Sequence, residues 1–485
     1  MTKIIFQTYK YIILGIAAVS LVSCKHEPTE EAKPESNYPV AIGNIISNKC
    51  ATSGCHNDKS KEAAAGLSLE TWDRMFEGSN GGSVVIPFRP DHSTFIYYVN
   101  HDSLLNYLQL SPTMPVGAAP LTLGELQLLR DWIANGAPDK SGFIKFSDDP
   151  YRQKYYVANQ GCDVVTVFDS KSMLAMRVVD VGKSPLTESP HMIKVSQDNQ
   201  YWYTCFLAGT YFQKYSCIDN TLAGEVSIGS GSWNTFSLSS DNQKAYLIDF
   251  ANGRIAIVNL DSMTVQFKSG FGTPHGSALN NSNDTLYMTA QLGSYLFKIP
   301  VNDIINFEMI DLVGAIPGPG GELEPHEVAL SPDGLKYFVT CQKSNEVRAL
   351  DVANDDVIAA IPVGSFPQEM AFSHHHPYLF VTCMDDANPD PGKKSAVAII
   401  NYQTNTLIKT IYAGYQSHGV VVDDYNNRVY ISNRNINSTG PAPHHSSLCS
   451  GRNGYISAID MSTLELIQGS NTEVSVDPYG IGITH

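Results

Sequence analysis

Beyond its first 24 residues the 485-residue chain has no stretch apolar enough to span a bilayer, and nowhere does it carry a run of basic residues. Lysine and arginine number 32 against 48 aspartates and glutamates, a formal net charge of -16. That balance argues against a nucleic-acid or anionic-membrane surface and favours basic or small-molecule partners. No P-loop, zincin motif or nucleophile elbow is present, so hydrolase chemistry has no support. Charged residues are only 16% and hydrophobic residues 43% of the chain. Such a mixture excludes an extended disordered polymer. What is plentiful is glycine (37) and proline (26), the composition of a turn-rich, β-dominated globular protein. The length calls for two or more domains.

The N-terminus reads as an address. A basic segment with Lys3 and Lys10 precedes an apolar core, Tyr11 to Val22, too short to cross a bilayer comfortably. It ends in Leu21-Val22-Ser23-Cys24, which resembles the lipobox of bacterial lipoproteins. That resemblance implies a signal peptide over 1–24, lipidation of Cys24, and a cell-envelope location on a periplasmic, outer-membrane or cell-surface face. The acyl chains would then be the membrane contact. A plain secretory signal with a chance cysteine is the other reading. Residues 25–37 (KHEPTEEAKPESN) are polar and core-free, a flexible tether.

Cys50-Ala-Thr-Ser-Gly-Cys55-His56 carries the first chemistry. Two thiols followed at once by a histidine form the attachment site of a c-type haem: the sulfurs add to the vinyl groups and the imidazole coordinates the iron. The usual spacing places two residues between the cysteines and this chain has four, so a small disulfide loop beside a histidine is the competing arrangement. Tyr38 to Ile46 predicts a helix running into the motif, with proline in its first turn. Thr122-Leu-Gly-Glu125 is a capping box, followed by Leu126, Leu129 and Ile133 at helical spacing and an Asn135-Gly136 stop. Between the two helices Met114 stands on a proline-rich loop, well downstream of His56.

Together with Val85-Ile-Pro-Phe-Arg-Pro-Asp-His-Ser-Thr, Thr113-Met-Pro and Trp132-Ile-Ala-Asn-Gly-Ala, these features make residues 38–140 resemble small class I-like, mainly-α cytochrome c domains of multidomain periplasmic proteins. The resemblance implies one covalent haem c on Cys50 and Cys55, with His56 the proximal and Met114 the distal iron ligand. His92 or His101 in the sixth position, with Met114 merely packing on the core, is the alternative. Haem attachment requires an oxidising compartment, in agreement with the lipobox.

After a 141–152 linker, residues 153–485 repeat. Pro190-His191, Pro274-His275 and Pro325-His326 open equivalent strands, with weaker copies at Asn234, Gln368 and His418. Each start follows the one before by roughly 40–50 residues, the period of a propeller blade. Each unit reads as four short strands with a Ser-x-Asp-type turn, as blades require. Tyr156-Val-Ala-Asn and Tyr430-Ile-Ser-Asn are similar to the namesake motif of the YVTN family of β-propellers. The domain begins without a leading apolar strand, and Tyr479-Gly480-Ile-Gly-Ile-Thr-His485 supplies one at the end. The last strand should therefore complete the first blade, giving an all-β ring of seven. Cys205, Cys341 and Cys383 fall at equivalent positions and read as buried, unbridged residues.

The same alignment sets His191, His275, His326 and His418 at one level around the channel, with Asn234, Gln368 and Gly480 completing the seven. They are candidates for a second metal or tetrapyrrole, as in the nitrous-oxide reductase and haem-containing nitrite reductase families. Against this, no second copper domain follows and those nitrite reductases carry eight blades. Alternatively, Pro-His simply opens the inner strand and hydrogen-bonds a neighbouring blade. The 435–453 insertion offers another candidate metal site at His444, His445 and Cys449, or a plain surface loop. Three functional readings follow: an electron-transfer cytochrome whose propeller docks a redox partner protein or small ligand, an oxidoreductase with a second cofactor among the propeller histidines, or a non-catalytic binding propeller.

Overall fold

A computed structural model of the chain describes residues 35–103, 108–316, 322–386, 393–435, 449 and 453–485. Cys24, His444 and His445 lie outside the described residues. Residues 37–485 form one compact unit. Among the described residues no helix is long and apolar enough to cross a membrane.

The N-terminal part of this unit is built, among the described residues, on four α-helices: α1 (Val40–Lys49), α2 (Trp72–Met75), α3 (Thr94–Val99) and α4 (Leu123–Ala134). In α1, Ile42, Ile45 and Ile46 are buried, the stripe expected of period 3.6. The capping box at α4 forms as written in the sequence. Glu125 N–H donates to Thr122 Oγ1 at 3.3 Å, and Thr122 N–H donates to a Glu125 carboxylate oxygen at 2.7 Å. Leu126, Leu129 and Ile133 of α4 meet the α1 isoleucines and Trp72 in one core. Lys49 at the end of α1 pairs with Glu125 at 2.9 Å, tying the two helices where the cysteine motif begins.

Seven antiparallel sheets follow. Blade 1 joins strands 154–159, 164–169 and 174–180 to the C-terminal strand Pro478–Ile483, which lies innermost against the first of them. Blades 2 to 7 are consecutive, with inner strands Pro190–Val195, Trp233–Leu238, Pro274–Leu279, Pro325–Leu330, Pro367–Phe372 and Ser417–Asp423. The final strand thus closes the ring in the expected way. Second strands are buried almost throughout, while outer strands such as Thr264–Ser269 have no buried residue. Tyr155 of blade 1 stacks on Tyr430 of blade 7 with centroids 4.2 Å apart, so the seam of closure is itself core. The Ser-x-Asp turns place the next residue in the left-handed region, with φ at +58 for Asn199, +60 for Asn242 and +71 for Gly334. Asn and Gly are the residues that tolerate it.

All seven inner strands are bulged at their entry, beside the residue that carries histidine in four of them. At four junctions a hydroxyl on the second strand accepts the bulge N–H and donates to the next blade. Thr289 accepts from Gly276 N and donates to His326 O at 2.9 Å; Thr340 accepts from Glu327 N and donates to Gln368 O at 2.9 Å. Thr382 repeats the pattern toward His418 O and Ser432 toward Tyr479 O. This register corrects one assignment. The seventh position of the histidine level is Tyr479, because Pro478 aligns with Pro190, Pro274 and Pro325; Gly480 occupies the bulge position after it.

The expected linker is anchored. Phe146 is buried with Tyr156 and Trp202 of the propeller. Beyond it, Ser83 Oγ donates to Ala175 O at 2.9 Å, Arg89 reaches Val178 O at 3.2 Å, and Ile86 joins the core of Val178 and Val474. The helical part therefore packs on the outer strand of blade 1 and on blade 7.

A disulfide also spans this region. Cys449 is bonded to Cys162, 287 residues earlier, with Cα atoms 5.4 Å apart. Replacing both cysteines by serine should lower stability by about 2–4 kcal/mol, the usual worth of such a crosslink. Thermal melts of parent and variant without reductant measure it; equal midpoints would mean that the closed ring leaves the crosslink nothing to add.

Candidate haem site and channel cluster

The cysteine motif starts as the C-cap of α1, where Cys50 N–H donates to Ile46 O at 2.8 Å. The four residues between the cysteines fold into a compact turn. Cys55 N–H donates to Thr52 O at 3.0 Å, His56 N–H to Cys50 O at 3.2 Å, and the Asn57 side chain to Thr52 O at 2.7 Å. These bonds bring both sulfurs and the imidazole to one wall in spite of the long spacing. Neither sulfur is bonded to the other, so the disulfide-loop alternative does not form here. Cys50 is buried, and its thiol is pushed up to about 12 by burial and then by the neighbouring Cys55.

The wall faces a cavity of about 680 Å³. Cys50, Cys55, His56 and Met114 all line it, with Leu67, Leu69, Val84, Phe95 and Val99 supplying apolar surface. Its size is that of a cofactor site. His56 Nδ1 is buried without a hydrogen-bond partner. Burial lowers the pKa of the ring, partly offset by the Leu67 backbone, and so favours the neutral form that a ligand requires. Met114 is half-buried on the helical core, its N–H donating to Tyr98 O at 2.7 Å. His92, buried beside Asp91 at 3.6 Å, and His101, exposed, do not line the cavity, whereas Met114 does. The chemistry and shape of this donor set fit a covalently held haem. Three wall residues escape sequence reasoning altogether, because they come from blade 7: Tyr455, Asn471 and Glu473.

The propeller histidines do converge. His275 and His326 have ring centroids 4.1 Å apart, His326 and His418 6.0 Å; Tyr479 bridges His418 at 3.5 Å and His191 at 4.0 Å. Arg434, paired with Asp477 at 2.6 Å, lies over Tyr479. The rings pack on one another, and among the described residues no three His, Cys, Asp or Glu side chains stand where they could hold a metal ion. Two of the rings bond within the propeller: His275 Nδ1 contacts His326 O at 3.2 Å, the neighbouring-blade bond, and His191 Nδ1 contacts Gln160 Oε1 at 2.9 Å. His326 Nδ1 and both nitrogens of His418 are buried without partners. At the insertion, Cys449 has no thiolate to offer a metal, because its sulfur is in the disulfide with Cys162. Cys205, Cys341 and Cys383 are free and buried, each thiol pushed up to about 12 chiefly by burial, as inert core cysteines are.

Residues 53–106 match the family described as Planctomycete cytochrome C. The match takes in Cys55 and His56 and leaves Cys50 and Met114 just outside. This part of the chain is a cytochrome c domain, which implies covalent haem c. Among solved structures the chain is similar to hydrazine synthase of Kuenenia stuttgartiensis, at 16% identity over 58% of this chain and 78% of that one, TM-score 0.46. It is also similar to dihydro-haem d1 dehydrogenase NirN in complex with DHE, at 11% identity over 84% and 94%, TM-score 0.46. A Bacteroides uniformis protein described as a "putative 6-phosphogluconolactonase" aligns at 12% identity over 68% and 99%, TM-score 0.51. At that identity the last likeness speaks for the propeller fold alone. No curated protein matches the chain.

The four channel histidines make stability depend on pH. Burial lowers the pKa of each, that of His275 to about 4. The unfolded chain takes up protons near pH 6.5 while the folded one does not, so the contribution of these four groups is complete above that pH and is lost as pH falls toward 4, partly offset by the buried carboxyls of Glu327 and Glu369, whose pKa values burial raises. The slope is about 1.4 kcal/mol per pH unit for each histidine. Urea midpoints measured from pH 7.5 to 4.5 should fall steeply below 6.5; a flat profile would contradict the burial of the cluster.

Proposed function

We propose that the protein is an envelope-located c-type cytochrome that passes single electrons, with the propeller as docking platform for a redox partner protein or small ligand. The observation that supports it is the convergence of Cys50, Cys55, His56 and Met114 on one cavity of cofactor size. Bound there, the haem would supply a one-electron ferric/ferrous couple. The chain's own residues do the rest. Cys50 and Cys55 would hold the group covalently, His56 would offer its neutral ring to the iron, and the Met114 thioether would raise the potential relative to a nitrogen ligand. Leu67, Leu69, Val84, Phe95 and Val99 give the cavity apolar surface, so the surrounding protein contributes to setting the potential. The acidic net charge favours a basic partner. Lipidation of Cys24 would fasten the whole to a membrane without a spanning helix.

The test is maturation in an exporting host able to attach haem. The denatured polypeptide should retain covalent porphyrin, and Cys50→Ser with Cys55→Ser should abolish it. Met114→Ala should remove the methionine-to-iron charge-transfer absorption and lower the midpoint potential; an unchanged spectrum would dismiss Met114 as ligand. A second reading, an oxidoreductase with a further metal on the channel histidines, draws on the unpartnered nitrogens of His326 and His418. Metal analysis of the matured protein decides it: iron in excess of haem, or another metal lost in His326→Ala and His418→Ala, would favour this reading over the first.

A further inference from the structure

We infer that Glu473, a residue of the propeller, tunes the redox potential of the haem by placing a carboxylate in the wall of its cavity. This rests on the electron-transfer reading above. Glu473 belongs to the short strand Thr472–Glu473, which pairs with the blade 7 strand Tyr455–Asp460. It is 5% exposed, and its backbone N–H donates to Gly81 O of the haem domain at 3.0 Å. Gly81 has no side chain, and a Cβ there would stand 2.5 Å from Glu473 Oε1, so the carboxylate lies directly on the Gly81 backbone. Both residues line the cavity, as does Tyr98. Tyr98 has its pKa raised first by burial and then by the charge of Glu473, a sign that the two are near each other. The Tyr98 carbonyl in turn accepts the N–H of Met114 at 2.7 Å, which places this group of residues toward the methionine side.

Ferric haem carries one more positive charge than ferrous haem, so a negative charge in the wall stabilises the oxidised form and lowers the potential. Glu473 is itself buried, which leaves that interaction less screened than at the surface. Glu473 therefore opposes the effect of the Met114 thioether, and the propeller becomes a part of the redox site as well as a docking platform. Glycine at 81 is the positioning feature, since a side chain there would displace the carboxylate.

The experiment uses the full matured chain with haem attached. Spectroelectrochemical titration should show a higher midpoint for Glu473→Gln, seen as several-fold more ferrous haem at a fixed ambient potential, with covalent haem content and the methionine-to-iron band unchanged. Glu473→Asp, which keeps the charge, should stay near the parent. Equal midpoints in parent and Glu473→Gln would overturn the inference. So would equal shifts in the Gln and Asp variants, or loss of the methionine band in both, since these report a structural role only. Absence of covalent porphyrin in the parent would be a different outcome, the failure of the electron-transfer reading itself.

Discussion

The pairing of the last strand with the first blade is the constraint on which the rest of the molecule depends. Pro478–Ile483 lies against 154–159, and with that pairing blades 1 and 7 become neighbours. An open seven-sheet array would expose one unpaired inner edge and leave Tyr155 without Tyr430 to stack on. Closure also brings Tyr479 into the histidine cluster, the insertion cysteine to Cys162, and Thr472–Glu473 to the edge of the haem domain. Each of those contacts joins residues far apart in the chain, and each exists because the ring is shut.

The haem domain and the propeller share material at their border. Ile86 is buried with Val178 and Val474, Phe146 with Tyr156 and Trp202, and Gly81 and Gly82 allow the chain to run against Thr472 and Glu473 without side chains in between. The Arg89–Asp180 pair at 3.0 Å adds little by comparison, since Asp180 is 77% exposed and water competes for both charges. Burial of apolar surface holds the border, at about 25 cal/mol for each Å² removed from water. A cavity walled from both sides follows from that arrangement.

The channel shows how one repeated sequence serves two purposes. At four of the seven inner-strand entries the bulge turns a backbone N–H toward a threonine or serine hydroxyl, which hands the bond on to the next blade. That network accounts for the recurrence of the strand opening without any ligand. It leaves the side chains at the histidine level to pack ring on ring. Burying His418 with both nitrogens unpartnered carries a cost of desolvation that the stacking on Tyr479 only partly offsets.

Much of this was legible in the chain. The helix running into Cys50, the capping box at Thr122, the loop methionine and the blade period depend on neighbours a few residues apart, and local hydrogen bonding and hydrophobic periodicity write such features directly into the order of residues. Even ring closure could be read, from a strand missing at one end and present at the other. The assignment of Gly480 failed because a one-residue bulge shifts the register, and weak copies do not reveal which residue sits opposite which.

Other features belong to the tertiary structure alone. That Cys449 bonds Cys162, that the long Cys50–Cys55 spacing still presents both sulfurs on one wall, and that blade 7 lends Glu473 to the haem cavity all depend on which surfaces the closed ring sets side by side. The sequence by itself determined the two kinds of domain and the residues able to carry a haem, because those follow from residue chemistry and short-range spacing. Where the haem domain sits, and which propeller residues reach its cavity, were decided only in three dimensions. Contacts between distant segments are selected by the total apolar surface they bury together, and no single segment records that sum.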